Sequence, residues 1–309
     1  MEPLVEVVRS GMVEDRHRGV AVRVGPDGQV VWSRGDPDTV VFPRSTNKPF
    51  QALGMMRAGL PLRGSQLALA ASSHSGEPFH VEGVREILSR AGLDESALQN
   101  PPALPTDPEE HVTALRAGRE PTRIEMECSG KHAAMLLTTV VNDWPTESYL
   151  EPDHPLQQTI TETFAALTGA SPDAVGVDGC GAPVLATTLT RLATAMARLM
   201  DAPEGSDGRL LVDAMLAHPE LVSGTRRDDL RLMRAIPGLV AKTGAESMLV
   251  VGLPDASACA VKIEDGGRRG RFVAMHRVLE IAGLDDEVLR ERPPVLGGGK
   301  QVGEVRPAF

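Results

Sequence analysis

Strand-forming segments lie at the two ends of this chain and helical ones fill its middle, and that distribution constrains the fold more than any other feature. LVEVVR (residues 4–9) alternates, and AVRVGPDGQVVWS within 19–33 reads as a hairpin turning at Pro26-Asp27-Gly28. After Pro237 the pattern returns: SMLVVGL (247–253) and SACAVKIED (257–265) flank the turn Pro254-Asp255-Ala256. Between Lys48 and Arg234 apolar residues recur at helical spacing, over 81–92, 155–169 and 185–200, the first two with a glycine stop. Four prolines make 98–108 a loop, and RFVAMHRVLEIAG (271–283) reads as a closing helix. Strands that come as hairpins predict an antiparallel sheet, since parallel neighbours need long crossovers. The expected fold is α+β, an α/β sandwich in which residues 1–45 and 237–309 build the sheet region. Helices flank that sheet, and 46–236 form a mainly helical region inserted in one domain of 309 residues.

Charge and aromatic content exclude several functions. The net charge is −10, only nine residues are aromatic, and no basic stripe exists, so a nucleic-acid partner is not expected. The longest apolar stretches, such as Ala133–Val141, fall well short of the roughly 18 residues that span a bilayer, so no membrane is expected either. The N-terminus has no basic start followed by an apolar core, and three cysteines cannot all pair within one chain. The expectation is a cytoplasmic protein with free thiols acting on a small molecule.

Lysine is scarce: of 32 cationic side chains only Lys48, Lys131, Lys242, Lys262 and Lys300 are lysines. Arg stays protonated, whereas a buried Lys can serve as a neutral amine, so a retained Lys can mark a site where Arg fails. Lys262 and Lys300 read as solvated. The other three sit in unusual surroundings. Ser45-x-x-Lys48 leads into a helix, where residues three apart share a face, so the amine could take the hydroxyl proton. The same residues also fit an N-cap serine before a solvated lysine. Ser72-Ser73-His74-Ser75-Gly76 ends an apolar run, either as a cluster of reactive hydroxyls or as a turn before the next helix. Lys242-Thr243-Gly244 enters the C-terminal hairpin, its glycine allowing close approach to the backbone. Ser-x-x-Lys, a Ser-containing polar element and Lys-Thr-Gly follow the order of motifs in penicillin-binding proteins and serine β-lactamases. Two Ser–Lys pairs, Ser45 with Lys48 and Ser73 with Lys242, would then share one site. MECSGKHAAMLL and GVDGCGAPVLA place Cys128, Lys131 and His132 at a helix start and Asp178 and Cys180 in a glycine-flanked loop. Thiolates with nitrogen donors suit zinc, but no C-x-x-C pair is present, and each cysteine also fits a small buried hydrophobe, Cys259 best of all.

RSTNKPFQAL, SSHSGEPFH, CSGKHAAML, GVDGCGAP, HPELVSGTRR and GLVAKTGAES together resemble the successive signatures of the L-asparaginase II family, the Rhizobium-type, zinc-associated asparaginases. The resemblance runs from about residue 9 to about residue 265. It implies a fold similar to serine β-lactamases and glutaminases, and a homodimer that hydrolyses L-asparagine to L-aspartate and ammonia. It implies Ser45 and Lys48 as one catalytic pair and Ser73 and Lys242 as the other. It implies zinc held by Cys128, Lys131 and Cys180, with Arg44, Asp178 and His132 near the substrate. A lysine ligand must give up its proton, against an ordinary pKa of about 10.4, and both metal charge and burial favour that. Where the family pattern has Asn before the CSGKH cysteine, this chain has Glu127, adding a negative charge beside the metal ligands. Segment 94–125 and the tail after 265 carry no such signature.

The expected mechanism has Ser45 attacking the side-chain carbonyl with Lys48 as base, Ser73 and Lys242 relaying protons or exchanging roles with them. Rival functions are a glutaminase, a penicillin-recognising acyltransferase or β-lactamase, and a non-catalytic protein that binds zinc or an amino acid on the same scaffold.

Overall fold

The computed structural model describes residues 1–309, which divide into a sheet unit (1–46, 187–201 and 231–309) and a helical unit (47–186 and 202–230). Eight strands form the main sheet: β1 (Glu2–Arg9), β2 (Met12–Val24), β3 (Val30–Arg34), β7 (Val240–Gly244), β8 (Met248–Gly252), β9 (Ala258–Ile263), β10 (Pro294–Gly297) and β11 (Lys300–Pro307). Their order is β10-β11-β1-β2-β9-β8-β7, with β3 also on β2, and every pairing is antiparallel, as the hairpins required. The long β2 joins the two ends of the chain: Glu2 pairs with Gly19 on one side, and Gly19 through Val24 run against Ile263 through Ala258 on the other.

Every residue of β7 and β8 is buried, the pattern of strands covered on both faces; that explains the continuous apolar run of β8, while β7 carries Lys242 and Thr243 in the same buried setting. Helix α7 (Leu189–Met200) packs on β2, β8 and β9, and α11 (Arg268–Ile281) on β1, β2, β8, β9 and β11. Cys259 is fully buried near the start of β9, its thiol pKa pushed up to about 12 by burial, a small hydrophobe as its sequence context suggested.

Three features depart from the sequence reading. The helix expected over 185–200 begins only at Leu189; Pro183–Thr188 is strand β6, whose Thr187–Thr188 end pairs with β4 (Val40–Val41). Thr188 closes that strand and N-caps α7 by accepting the Arg191 N–H, so the boundary is set by a cap inside an apolar run. Helix α7 also belongs to the sheet unit, although its sequence lies within the stretch expected to form the helical insertion. The tail does not close on a helix: β10 and β11 follow, and β11 takes the open edge of β1, Val5 opposite Pro307. Weak alternation around Gly297-Gly298-Gly299 hides these strands, which an unpaired edge then recruits.

The helical unit contains α1 (Lys48–Arg57), α2 (Gly64–Ala70), α3 (Pro78–Arg90), α4 (Pro108–Arg116), α5 (Ser129–Val141), α6 (Pro155–Thr168), α8 (Asp207–Ala217) and α9 (Pro219–Val222). The unit boundary falls inside α10 (Asp228–Ala235). Short β5 (Ala174–Val177) pairs with Pro183–Ala186. Helix α5 is the core of this unit, buried from Ser129 to Thr139, with α1, α2, α3 and α6 packed against it. Its buried start and the buried start of α1 position the site. No helix is long and apolar enough to cross a membrane.

Candidate active site

Lys48 is the first residue of α1 and only 1% exposed, so its amine must find partners inside the protein. Its Nζ lies 2.9 Å from Ser73 Oγ, 3.2 Å from Cys128 Sγ and 3.5 Å from the Glu127 carbonyl oxygen. Within the helical unit, the hydroxyl that Lys48 meets is that of Ser73, a partner that the Ser-x-x-Lys spacing does not name. A lysine at a helix start can reach back past the first turn to a loop from elsewhere in the chain, and spacing along one helix cannot register that.

The Ser73 loop is held by its main chain. Ser73 N–H donates to the Val222 carbonyl (3.0 Å) and His74 N–H to the Glu127 carbonyl (3.0 Å). His74 is fully buried; burial first, then the charges of His80, Lys48 and Arg227, push its pKa well down, so it is neutral. Its Nδ1 accepts the Gly76 N–H, which leaves Nε2–H to donate to Ser129 Oγ at 2.8 Å. The imidazole thus ties the serine loop to the first turn of α5. On the other side Glu77 accepts from Ser75 Oγ (2.6 Å), Thr225 N (2.9 Å) and Thr225 Oγ1 (2.6 Å), clamping the 222–225 segment alongside residues 73–77. Burial alone would raise the Glu77 pKa, but the hydrogen bonds from Ser75 and Thr225 outweigh it and the carboxyl is held below its ordinary range.

Cys128 precedes the first turn of α5, and Lys131 and His132 follow three and four residues on, on the same face. Cys180 comes from a tight turn closed by Asp178 N–H to the Ala182 carbonyl (2.9 Å) and Gly181 N–H to the Asp178 carbonyl (2.8 Å). Its thiol packs in one buried cluster with that of Cys128, and Lys131 Nζ donates to Cys180 Sγ at 3.2 Å. In this trio the Cys128 thiol and the positive charge of Lys131 draw the Cys180 pKa far down, while Cys128 is pushed far up. Lys131, although buried, is raised by the two sulfurs and Asp178.

His132 adds a further nitrogen. Its Nδ1 is 2.7 Å from Tyr149 Oη, whose oxygen also accepts the Gln99 N–H (3.1 Å), while its other ring nitrogen is buried beside Cys180. Two sulfurs, an amine and an imidazole nitrogen suit a borderline-soft tetrahedral cation. Zinc needs its nitrogen and sulfur ligands on the order of 3.6 Å apart, and Lys131 Nζ and Cys180 Sγ are 3.2 Å apart. The donor set fits zinc. The Glu127 carboxylate lies 3.8 Å from the Arg227 guanidinium, which offsets the extra negative charge.

In the sheet unit, Ser45 lies in a 3-10 turn (Arg44–Asn47) and is 7% exposed. Arg44 has φ +51, a conformation that disfavours any residue with a Cβ. Lys242 is fully buried in edge strand β7, where its Nζ lies 2.9 Å from the Thr243 carbonyl oxygen. A Cβ on Gly244 would lie 2.9 Å from the Pro43 carbonyl and 3.1 Å from Thr46 Cγ2, so the glycine admits the very turn that carries Ser45. The close approach expected at this glycine is therefore made by the chain itself.

Residues 5–307 match the description of L-asparaginase II. The chain belongs to the L-asparaginase II family. No curated protein matches its sequence. Among solved structures the chain is similar to a β-lactamase from Mycobacterium bovis, at 15% identity and TM-score 0.48, covering 86% of this chain and 95% of that one. It is also similar to Mglu in its glutamate form, at 15% identity and TM-score 0.49, covering 90% of this chain and 63% of that one. A third similarity is to simvastatin synthase from Aspergillus terreus, at 9% identity and TM-score 0.39, covering 79% and 86%.

Within this L-asparaginase II chain the structure gathers Lys48, Ser73, Cys128, Lys131, His132 and Cys180 in the helical unit and sets Ser45 and Lys242 on abutting segments of the sheet unit. The sequence reading gave no role to Tyr149 or to the Glu77–Thr225 clamp. HPELVSGTRR, which carries Thr225, was visible as a motif without chemistry of its own; Tyr149 had no signal, since only folding brings it to His132.

Proposed function

We propose that the protein is an amidohydrolase that converts L-asparagine to L-aspartate and ammonia. The observation that supports it most is the 2.9 Å contact between Lys48 Nζ and Ser73 Oγ, both buried, in a chain of the L-asparaginase II family. An amine within hydrogen-bond reach of a hydroxyl is the arrangement that turns a weak alcohol into a nucleophile. Ser73 Oγ attacks the side-chain carbonyl carbon while the Lys48 amine takes the hydroxyl proton. The C–N bond breaks and Lys48 returns that proton to the departing nitrogen, giving ammonia and an acyl-serine. Water then attacks the ester with Lys48 again accepting a proton, which passes back to Oγ as L-aspartate leaves. Lys242 and Ser45 are assigned to proton delivery, Arg44 to the substrate carboxylate, and Asp178 and His132 to the substrate's polar groups.

A second reading keeps Ser45 as nucleophile and makes Ser73 and Lys48 the relay; it is favoured by the strained Arg44 that fixes the turn. Cys128, Lys131 and Cys180 would hold zinc, with His132 beside them. When bound, zinc supplies positive charge and ties α5 to the Cys180 turn. A homodimer in solution completes the proposal.

Ammonia release from L-asparagine and, in parallel, from L-glutamine tests the activity and its chain-length preference. Ser73→Ala and Lys48→Met should each lower kcat by about 10²–10⁴, the usual worth of a positioned base and its nucleophile, with the fold intact by circular dichroism. If Ser45→Ala is the inactive variant and Ser73→Ala keeps an acyl-enzyme detectable by mass spectrometry, the nucleophile assignment moves to Ser45. Covalent labelling by a penicillin, with no ammonia from either amide, would overturn the amidase reading for the acyltransferase one.

A further inference from the structure

The folded chain leaves several buried polar side chains unmet beside the Lys48–Ser73 pair. Asn47, 1% exposed, directly precedes Lys48, and neither its Oδ1 nor its Nδ2 has a hydrogen-bond partner. It stands at the N-cap of α1, where an asparagine ordinarily accepts from the helix N–H groups. Here its backbone is helical (φ −79°, ψ −14°) and its side chain makes no capping bond. Ser223 is 1% exposed and its hydroxyl is likewise unmet. Its position is fixed on both sides: the Val222 carbonyl accepts the Ser73 N–H at 3.0 Å, and Thr225 is held by Glu77. A Cβ on Gly224 would lie 2.0 Å from Ser75 Oγ. Ser223 therefore runs alongside residues 73–75. Ser72, fully buried and adjacent to Ser73, has an unmet hydroxyl as well.

Buried polar groups are almost always satisfied, because an unmet one loses its hydration for nothing. An unmet amide on the residue before Lys48, an unmet hydroxyl on the residue before Ser73 and another on the segment bonded to Ser73 are polar groups the chain itself does not satisfy. Their inventory is three donor positions and an amide carbonyl acceptor, besides the hydroxyl lone pairs. That suits a small zwitterion whose carboxylate accepts and whose ammonium and carboxamide donate. We propose that Asn47 and Ser223 are substrate-contacting, specificity-determining residues that receive the polar groups of a small amino acid beside Ser73. The proposal rests on the amidase reading for its choice of ligand but not on turnover.

The test uses the full-length protein, with L-aspartate as the non-reacting ligand in isothermal titration and thermal melts recorded without ligand. Ser223→Ala and Asn47→Ala should each weaken L-aspartate binding tenfold or more and raise KM for L-asparagine, while the ligand-free melting temperature stays level or rises. A side chain with a purely structural role gives the opposite pattern, a lower melting temperature with unchanged affinity, and that result overturns the proposal. So does a parent protein that binds no amino acid. Should Asn47→Ala fail to fold, Asn47→Asp retains the size and one acceptor; if that also unfolds, the amide is structural and the proposal fails. A parent that binds L-aspartate but releases no ammonia from any amide sinks the amidase reading alone.

Discussion

Replacing Glu77 would test how the Ser73 loop is held. The carboxylate is 6% exposed and accepts three hydrogen bonds, one from Ser75 and two from Thr225. A bond to an ionised group contributes about 1.5–3 kcal/mol. In Glu77→Ala the two hydroxyls can rotate toward other acceptors, but the Thr225 N–H is fixed by the backbone. The loss is then about 3–5 kcal/mol, the range for breaking a buried network. For a chain of this size that lowers the melting temperature by roughly 5–8 °C. Glu77→Gln keeps one acceptor but turns an N–H₂ toward donors, so it falls between the two. Because folding lowers the Glu77 pKa, its charge stabilises the native state fully above the unfolded value, near 4.5. That contribution disappears as pH falls through the lower folded value. Melts of parent and Glu77→Gln should therefore differ at pH 7 and converge as the pH falls well below the unfolded value. A Glu77→Ala protein that melts within 2 °C of the parent at pH 7, or a Gln variant whose gap ignores pH, would refute the clamp.

Two further outcomes follow from the same geometry. Zinc binding should release up to two protons at pH 7, one from the raised Lys131 ammonium and one from the raised Cys128 thiol, because Cys180 is already a thiolate. Titration calorimetry in buffers of different ionisation heat counts them, and Cys180→Ala should abolish the binding. Gly224→Ala forces a Cβ at φ +131 to within 2.0 Å of Ser75 Oγ and 2.8 Å of Glu77 Oε2. It should cost about 3–5 kcal/mol in urea denaturation, and a midpoint equal to the parent's would contradict the packing.

Much of the scaffold was written locally. Pro26-Asp27-Gly28 and Pro254-Asp255-Ala256 each sit in a β-turn between strands, and α6 stops at Gly169 with φ +79, because turn and cap chemistry depends on a few adjacent residues. The residue types able to do chemistry were legible for the same reason: scarce lysines and short polar runs stand out without a fold. The partnerships were not. Lys48 shares a short motif with Ser45, yet its amine meets Ser73 and Cys128, 25 and 80 residues away. Tyr149 reaches His132, and Thr225 reaches Glu77 across 148 residues. Strands β10 and β11, nearly silent in sequence, exist because β1 has an edge to fill. The sequence by itself determined which side chains could react and where the chain would turn, since both depend on near neighbours. Which hydroxyl faces which amine was decided only when α1, α5 and the Ser73 loop packed together, because hydrogen-bond partners are chosen by distance in space and by the cost of leaving a buried polar group unmet.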